Sequence, residues 1–268
     1  MIGCGNMGSA LVENLRKASK ARELYVFDKD RSLLDSHVMR FGVKRCDSIA
    51  EVKENTDVLI LAVKPQDIDG VLSQLKSSRD KLIVSIAAGI TLEFLGSALG
   101  GEVPVVRVMP NLNALIAKSV TAICANGAAG QKGLQLAQEI FLSVGSVVLV
   151  EDAQMNAVTA ISGSGPAFVA YLYPAVAIKD IERVLAAEAM RFGIDEKNAL
   201  ILSGSTTSGT LAMIETNLDA SMLIKRVCSK GGTTEAGMKV LEKNGKNEEA
   251  LSEAIRAAER RAQELSRR

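Results

Sequence analysis

Residues 3–8 have the sequence Gly-Cys-Gly-Asn-Met-Gly, and this stretch, which we call the N-terminal glycine turn, sets the expected fold of the first half of the chain. Its spacing is that of the G-x-G-x-x-G fingerprint, whose glycines allow a tight turn and a close approach to a pyrophosphate. An apolar helical pattern follows at residues 10–15, and a strand pattern at residues 23–27 ends at Asp28. An acidic residue at about this distance is the expected ribose ligand. The context therefore predicts a dinucleotide site with the pyrophosphate on a helix N-terminus.

The segment before this turn is short. Only Met1 and Ile2 precede it, whereas a strand of about five residues is usual. Either the first strand is short or the sequence lacks its natural start. Because this strand is expected at the centre of the sheet, we expect its shortening to weaken cofactor binding.

Strand and helix patterns alternate as far as residue 152. The apolar run at residues 57–63 is typical of a parallel strand that is buried on both faces. The turn after it is expected on the cofactor side, because ligands of open parallel sheets bind outside the carboxyl ends of strands. Other strands are predicted at 42–44, 81–86, 103–109, 119–124 and 146–150, and helices at 31–40, 48–55, 68–75 and 132–143. The alternation predicts a doubly wound α/β domain of the Rossmann type over residues 1–152.

Residues 153–268 are predicted to form an all-helical domain. Asp195 and Asn247 are expected N-caps, because their side chains accept hydrogen bonds from the first turn of a helix. Many alanines and other small residues let helix backbones pack closely, so we expect this domain to form a dimer interface. Helical patterns cover residues 155–162, 167–192, 197–215, 220–227, 235–243 and 247–266.

The composition narrows the function. The formal net charge of +1 gives no reason to expect a nucleic-acid or membrane partner. No run of about 18 apolar residues predicts a transmembrane helix. The four cysteines are scattered, with no histidine nearby, so we expect neither disulfides nor a metal site. The simplest compartment is a reducing cytoplasm.

The sequence contains a single histidine, His37, in a polar stretch. A Ser-His-Asp or Cys-His mechanism would have to use this residue. We instead predict a surface histidine on a helix, so histidine-based nucleophilic catalysis is not expected.

Two further glycine-rich stretches lie in the helical half. We call residues 162–167, Ser-Gly-Ser-Gly-Pro-Ala, the central glycine stretch, and residues 229–234, Ser-Lys-Gly-Gly-Thr-Thr, the C-terminal glycine turn. Each is predicted to precede a helix, so each would present unpaired N–H groups suited to a carboxylate. No obvious His/Asp pair is present to protonate an alkoxide, whereas a cyclic imine binds already protonated. The residues therefore favour imine over ketone reduction, although Lys64, Lys118 or Lys230 would be able to serve as the acid for a ketone.

Six motifs together resemble the pyrroline-5-carboxylate reductase family, and the resemblance runs almost from end to end of the chain. They are GCGNMG at 3–8, AVKPQ at 62–66, SIAAGIT at 85–91, RVMPN at 107–111, NAVTAISGSGPAF at 156–168 and SKGGTTEAG at 229–237, the last two being the most specific. The resemblance implies a Rossmann domain and an all-α dimerisation domain, in dimers that commonly assemble to decamers. It implies reduction of 1-pyrroline-5-carboxylate to L-proline with NADPH or NADH, the last step of proline biosynthesis.

The same resemblance implies the site residues. The substrate would lie on Ser229, Gly231, Gly232, Thr233 and Thr234, with Thr234 nearest the ring nitrogen as the catalytic residue. The cofactor would be held by Gly3, Gly5, Asn6, Met7, Gly8, Asp28, Ala62, Val63, Lys64, Pro65, Ile86, Ala87 and Ala88. The central glycine stretch is then expected to begin the dimerisation domain, where its small residues let nicotinamide and substrate approach.

The sequence departs from the family pattern at several signature positions. Lys230 stands where proline is usual, Leu112 and Asn113 follow RVMPN instead of Thr-Pro, and Asn156 replaces an aspartate. Lys230 either adds a cation beside the carboxylate site or points to solvent.

The cofactor preference is divided between two signals. Asp28 favours NADH, because a carboxylate pairs with ribose hydroxyls and repels a 2′-phosphate. Lys29 and Arg31 would accommodate that phosphate, and the family often prefers NADPH. We expect a slight preference for NADH.

Two other functions fit part of the sequence. A β-hydroxyacid dehydrogenase also has a Rossmann domain followed by helices, but it relies on a catalytic lysine and leaves both later glycine stretches unexplained. A dinucleotide-binding regulatory protein without activity would fit the altered signature positions and the short first strand.

Overall fold

The computed structural model describes residues 1–18, 23–76, 78–216 and 219–267, and it divides into two compact units. The first contains Met1–Val108 and Ile123–Val144, and the second contains Met109–Ala122 and Gly145–Arg268. The chain therefore passes between the units more than once. The simple boundary after residue 152 stays a prediction.

The first unit has the predicted alternation of strands and helices. Its strands are β1 (Tyr25–Val26), β2 (Lys44–Arg45), β3 (Val58–Leu61), β4 (Leu82–Ser85) and β5 (Val105–Met109), and its helices are α1 (Asn6–Lys17), α2 (Arg31–Phe41), α3 (Ile49–Asn55), α4 (Ile68–Leu72), α5 (Leu92–Leu99) and α6 (Gly130–Phe141). Strand β6 (Ser119–Ala125) ends in this unit. The pairs β1–β2, β3–β4 and β4–β5 are parallel, as the apolar strand patterns indicate.

The first strand is reduced to a single residue. Ile2 forms parallel bridges to Phe27 beyond β1 and to Leu61 of β3, and so joins the two groups of strands. Its N–H donates to Ile60 O at 2.9 Å, and its carbonyl accepts from Ala62 N–H at 2.8 Å. This ladder places the N-terminal glycine turn at the carboxyl ends of the neighbouring strands.

The second unit is helical apart from the start of β6 and strand β7 (Gly145–Leu149). Its helices are α7 (Met155–Val158), α8 (Gly165–Leu172), α9 (Ile178–Arg191), α10 (Glu196–Glu215), α11 (Ala220–Val227), α12 (Thr233–Asn244) and α13 (Glu248–Ser266), with a π-helical turn, Thr159–Gly163, between α7 and α8. The predicted caps are confirmed: Asp195 accepts from Asn198 N–H and Asn247 from Ala250 N–H. No helix within the described ranges is both long and apolar enough to cross a membrane.

The single helix predicted over residues 167–192 is wrong. Helix α8 ends at Leu172, and α9 begins at Ile178. Pro174 lies in the gap, and it breaks the helix because proline has no N–H to donate and its ring clashes with the preceding turn. The apolar periodicity on both sides of Pro174 concealed this break.

Glycines allow α8 to pack closely against its neighbours. A methyl group on Gly237 of α12 would overlap the ring of Phe168 in α8. A methyl group on Gly165 would lie 2.7 Å from Thr206 Cγ2 in α10. Since Cβ atoms do not occur at such distances, a side chain at either position would force its neighbours to shift. This packing brings the start of α8 beside the start of α12.

Candidate active site

The N-terminal glycine turn is closely packed at Gly3 and Gly8 but has free space at Gly5. Gly3 has φ +101°, and a Cβ there would lie 2.5 Å from Ala62 O. A Cβ on Gly8 would overlap the Gly3 carbonyl oxygen. At Gly5, by contrast, a Cβ would meet no atom of the described residues within 4 Å. The open side of Gly5 is where a pyrophosphate can approach the backbone, so the turn fits the predicted cofactor.

Helix α1 presents its N-terminus at the same point. Gly5 is the N-cap, and no described side chain caps the first turn. The sequence of that turn, Asn-Met-Gly-Ser, contains no acidic residue. The free N–H groups and the positive end of the helix dipole therefore favour a bound anion.

Asp28, the predicted ribose ligand, also holds the turn in place. Its Oδ2 accepts a hydrogen bond from Cys4 N–H at 2.6 Å, and its Oδ1 accepts from Asp30 N–H at 2.8 Å. Burial and the nearby Asp28 carboxylate raise the pKa of the Cys4 thiol to about 12. Cys4 is therefore a neutral structural residue at physiological pH.

A cavity of about 630 Å³ lies in front of this turn, a size suited to a cofactor-sized ligand. Among the predicted cofactor residues, its lining includes Gly3, Gly5, Asp28, Ala62, Val63 and Lys64. Asn6, Met7, Gly8, Pro65, Ile86, Ala87 and Ala88 are not among the residues that line it. Gly8 packs against the Gly3 carbonyl and so supports the turn without lining the cavity. Ala87 is buried, whereas Ala88 is exposed.

The two cations near Asp28 differ in their partners. Lys29 forms an exposed ion pair with Asp67, with Nζ 2.9 Å from Oδ1. Arg31 is exposed at the start of α2. A 2′-phosphate on the ribose would have to compete with Asp67 for Lys29.

The C-terminal glycine turn is held by its own hydrogen bonds. Gly231 N–H donates to Glu235 Oε2 at 2.9 Å, and Gly232 N–H donates to Ser229 O at 2.9 Å. Arg261 Nε donates to Gly231 O at 2.8 Å. The N–H groups of both glycines are thus already used, which the sequence did not reveal. The Gly231 N–H also holds the pKa of Glu235 below its usual range.

The threonines that follow supply the remaining donors. Thr233 and Thr234 are the first two residues of α12, and no described side chain caps this helix. Thr234 is 4% exposed, while Thr233 is half-buried. Lys230 is exposed, which fits the solvent-facing alternative for this substitution.

A buried hydroxyl joins the two threonines. Thr234 Oγ1 donates to Ser164 Oγ at 3.0 Å, and Ser164 Oγ lies 3.1 Å from Thr233 Oγ1. Ser164 is fully buried. We call Ser164, Thr233 and Thr234 the hydroxyl cluster. Sequence reasoning missed the part of Ser164, because 69 residues separate it from Thr233 and no periodic pattern links them.

The central glycine stretch contains the start of α8, but its predicted unpaired N–H groups are wrong at Ser164, the residue before that helix. It lies inside a helical run that starts with α7, and Ser164 N–H donates to Thr159 O at 2.8 Å. The residues before it are helical, so the Ser164 N–H is already bonded and is not available to an anion. The stretch contributes a side chain, Ser164, instead of a backbone anion site.

His37 is also placed differently from the prediction. It is 4% exposed and lies in the packed face of α2. Its Nε2 is 2.7 Å from Ser9 Oγ, and its Nδ1 is 2.8 Å from Leu33 O. The residues next to His37 in sequence are polar and face solvent on the other side of α2. For this reason the polar stretch wrongly predicted that His37 lies on the surface.

Two family models match the chain. Residues 1–89 match one described as NADP oxidoreductase, coenzyme F420-dependent. Residues 152–265 match one described as pyrroline-5-carboxylate reductase dimerisation.

Individual proteins match over almost the whole length. Pyrroline-5-carboxylate reductase of Methanosarcina acetivorans is 37% identical over 264 residues, which cover 97% of this chain and 94% of that protein. The structure of a pyrroline-5-carboxylate reductase from Coxiella burnetii has a TM-score of 0.69 at 31% identity, covering 100% of this chain and 97% of that one. Plasmodium falciparum pyrroline carboxylate reductase, solved with NADP bound, has a TM-score of 0.65 at 25% identity, with coverages of 99% and 96%.

Proposed function

The chain belongs to the pyrroline-5-carboxylate reductase family, and on that premise we propose how its own residues divide the reaction. The N-terminal glycine turn and Asp28 hold the cofactor. The start of α12 and the hydroxyl cluster hold 1-pyrroline-5-carboxylate. The product is L-proline. Thr234 is the residue proposed to contact the ring nitrogen.

The chemistry needs few protein groups. When bound, NAD(P)H supplies the hydride that is added to the carbon of the C=N bond. The imine nitrogen carries its proton before the transfer, so the product leaves as an amine without an acid from the protein. The residues have to bind a carboxylate, orient an iminium N–H and exclude water.

The hydroxyl cluster is the observation that supports these roles. A hydroxyl has one proton, and the proton of Thr234 is directed at Ser164. The Thr234 oxygen therefore keeps its lone pairs to accept a hydrogen bond from the iminium N–H. The Ser164 proton is then free for Thr233, whose own proton is free for the substrate carboxylate. The positive end of α12 adds to the attraction of that carboxylate.

Replacement of Thr234 tests this assignment. We expect Thr234→Ala to lower kcat/KM for pyrroline-5-carboxylate by roughly a hundredfold, since it removes the contact to the nitrogen and leaves Ser164 without its donor. Thr234→Ser keeps the hydroxyl and is expected to retain most of the activity. An alanine variant with near-normal turnover in the nicotinamide absorbance assay would remove Thr234 from the mechanism.

We further propose that NADH is the slightly better cofactor. Asp28 is held rigidly beside the open side of the turn, and Lys29 is paired with Asp67. Both features disfavour a 2′-phosphate. The ratio of kcat/KM for the two cofactors tests this directly, and a large preference for NADPH would contradict it.

The remaining proposals concern assembly and compartment. We propose a homodimer formed through the helical half, with a decamer as the larger assembly, since Met190, Leu200 and Leu265 expose apolar surface on α9, α10 and α13. A sedimentation measurement would give the subunit number. We propose the cytoplasm because Cys4, Cys46 and Cys124 are buried free thiols, as a reducing compartment allows.

A further inference from the structure

The buried histidine is connected to the N-terminal glycine turn through one serine. Ser9 lies on the first turns of α1, and its Oγ donates to the Cys4 carbonyl at 2.9 Å. The same Oγ is 2.7 Å from His37 Nε2. The other imidazole nitrogen, Nδ1, faces Leu33 O at 2.8 Å. A chain of polar contacts therefore runs from α2 to the backbone that precedes Gly5.

The protons of this chain can be counted. Carbonyl oxygens only accept, so the Leu33 contact requires a proton on Nδ1, and the Cys4 contact uses the single proton of Ser9. Nε2 then faces a serine oxygen whose proton is engaged, and it has to donate as well. All three contacts are satisfied together only by the doubly protonated imidazolium. With a neutral imidazole, one of the contacts is lost.

The Cys4 carbonyl controls the direction of a ligand-facing group. In a planar trans peptide, the carbonyl of one residue and the N–H of the next point in opposite directions. Ser9 holds the Cys4 carbonyl on the protein side, so the Gly5 N–H points to the other side. Gly5 lines the cavity in front of the turn, and a Cβ there would meet no described atom within 4 Å. Asp28 fixes the preceding peptide through Cys4 N–H.

We propose that His37 is a positioning residue for cofactor binding, which in its protonated form holds Ser9 on the Cys4 carbonyl and so directs the Gly5 N–H at the cofactor's pyrophosphate. The inference rests on the cofactor site proposed above. Because only the doubly protonated imidazole makes all three contacts, cofactor affinity is expected to be higher at lower pH.

Other charged groups lie around the same helix pair. On α1, Glu13 pairs with Arg40 of α2 at 3.3 Å and with Lys17, and Arg16 Nε donates to Phe41 O. Across the turn, Asp28 lies on the far side of Cys4. Burial also lowers the pKa of the Met1 amino group, close to Cys4, to about 6. Only the part of the pH dependence that is lost on replacement of His37 is therefore assigned to His37.

The test measures the dissociation constant of NADH at about pH 6 and about pH 8 by fluorescence titration. NADH has no phosphate monoester that titrates in this range. The wild-type protein is expected to bind roughly three- to tenfold more tightly at the lower pH, the effect of about one hydrogen bond. Ser9→Ala removes the link and is expected to bind weakly at both values. His37→Gln keeps a donor for Ser9 without an imidazole, so its affinity should depend clearly less on pH than that of the wild type, and what remains is the contribution of the Met1 amino group.

The controls separate the possible failures. Ser36→Ala lies on the exposed face of α2 and should retain the wild-type pH dependence. Gly8→Val disrupts the turn itself and should weaken binding by roughly a hundredfold. If Ser9→Ala and His37→Gln both keep the wild-type pH dependence while Gly8→Val binds weakly, this inference is overturned and the cofactor site stands. If Gly8→Val binds normally, the proposed cofactor site fails instead.

Discussion

The N-terminal and C-terminal glycine turns both lead into a helix whose first turn lacks a described capping side chain, yet they prepare that helix differently. At the N-terminal turn, the glycine nearest the helix is open and the first turn of α1 carries no acidic residue. At the C-terminal turn, Glu235 lies in the first turn of α12 and its carboxylate occupies the Gly231 N–H. The N-terminal glycine turn thus offers a ligand backbone N–H groups, and the C-terminal glycine turn offers mainly hydroxyl groups.

This difference matches two kinds of ligand. A pyrophosphate carries charge on several oxygens, so a cluster of backbone N–H groups at a helix end suits it. A small amino-acid-like substrate presents one carboxylate next to one nitrogen. Hydroxyls with a fixed proton order can donate to the first group and accept from the second. The comparison therefore links each turn to the polarity pattern of its proposed ligand.

The largest effect is expected where the N-terminal turn is most closely packed. Gly8→Val should weaken cofactor binding by roughly a hundredfold, because its Cβ overlaps the Gly3 carbonyl and overpacking costs up to about 3 kcal/mol. Gly5→Ala is the matched control, since a Cβ there meets no described atom within 4 Å. It should leave the melting temperature unchanged and still raise the KM for cofactor. Equal effects of the two variants on melting temperature would contradict the proposed roles.

A smaller effect is expected for the shared serine of the hydroxyl cluster. Ser164→Ala should lower kcat about tenfold, since Thr234 loses its acceptor and its proton is free to turn toward the iminium. The KM for cofactor should not change, because this residue belongs to the substrate half of the comparison. Ser208→Ala on the exposed side of α10 is a suitable control. A change confined to the cofactor KM would contradict the separation of the two turns.

The smallest effect concerns Glu235. Its pKa is lowered in the folded protein, chiefly by the Gly231 N–H and then by Lys239. Its contribution to stability is therefore present above the ordinary carboxyl range and is lost as the pH falls through the lowered value. Glu235→Gln should be slightly less stable than wild type near neutral pH and equally stable in acid. Urea unfolding at several pH values measures this, and a difference independent of pH would contradict it.

The predictable features were those encoded locally. The alternating patterns gave the Rossmann and helical architecture, and the six motifs gave the family and the NAD(P)H-dependent reduction, all of which are confirmed. The full-length matches favour the reductase over the β-hydroxyacid dehydrogenase and the inactive regulatory protein. The roles of individual site residues stay predictions.

The features that escaped prediction depend on tertiary packing. Ser164 meets Thr234 because Gly165 and Gly237 let three helices approach, and no local pattern reports that approach. His37 is buried because Ser9 on another helix supplies its partner. The break at Pro174 was a local signal, and the strong apolar periodicity on both sides outweighed it.

The length of the π-helical turn before Ser164 determines the direction in which the Ser164 side chain points. Its Ser164–Thr159 hydrogen bond spans five residues, one more than an α-helix uses. Each residue of a helix rotates the chain by about 100° about the helix axis. The extra residue therefore changes the direction in which every later side chain of this helical run points. A one-residue deletion here would restore a regular helix and turn the serine hydroxyl away from α12. The geometry of the site should therefore depend on the length of this turn as well as on the residues in it.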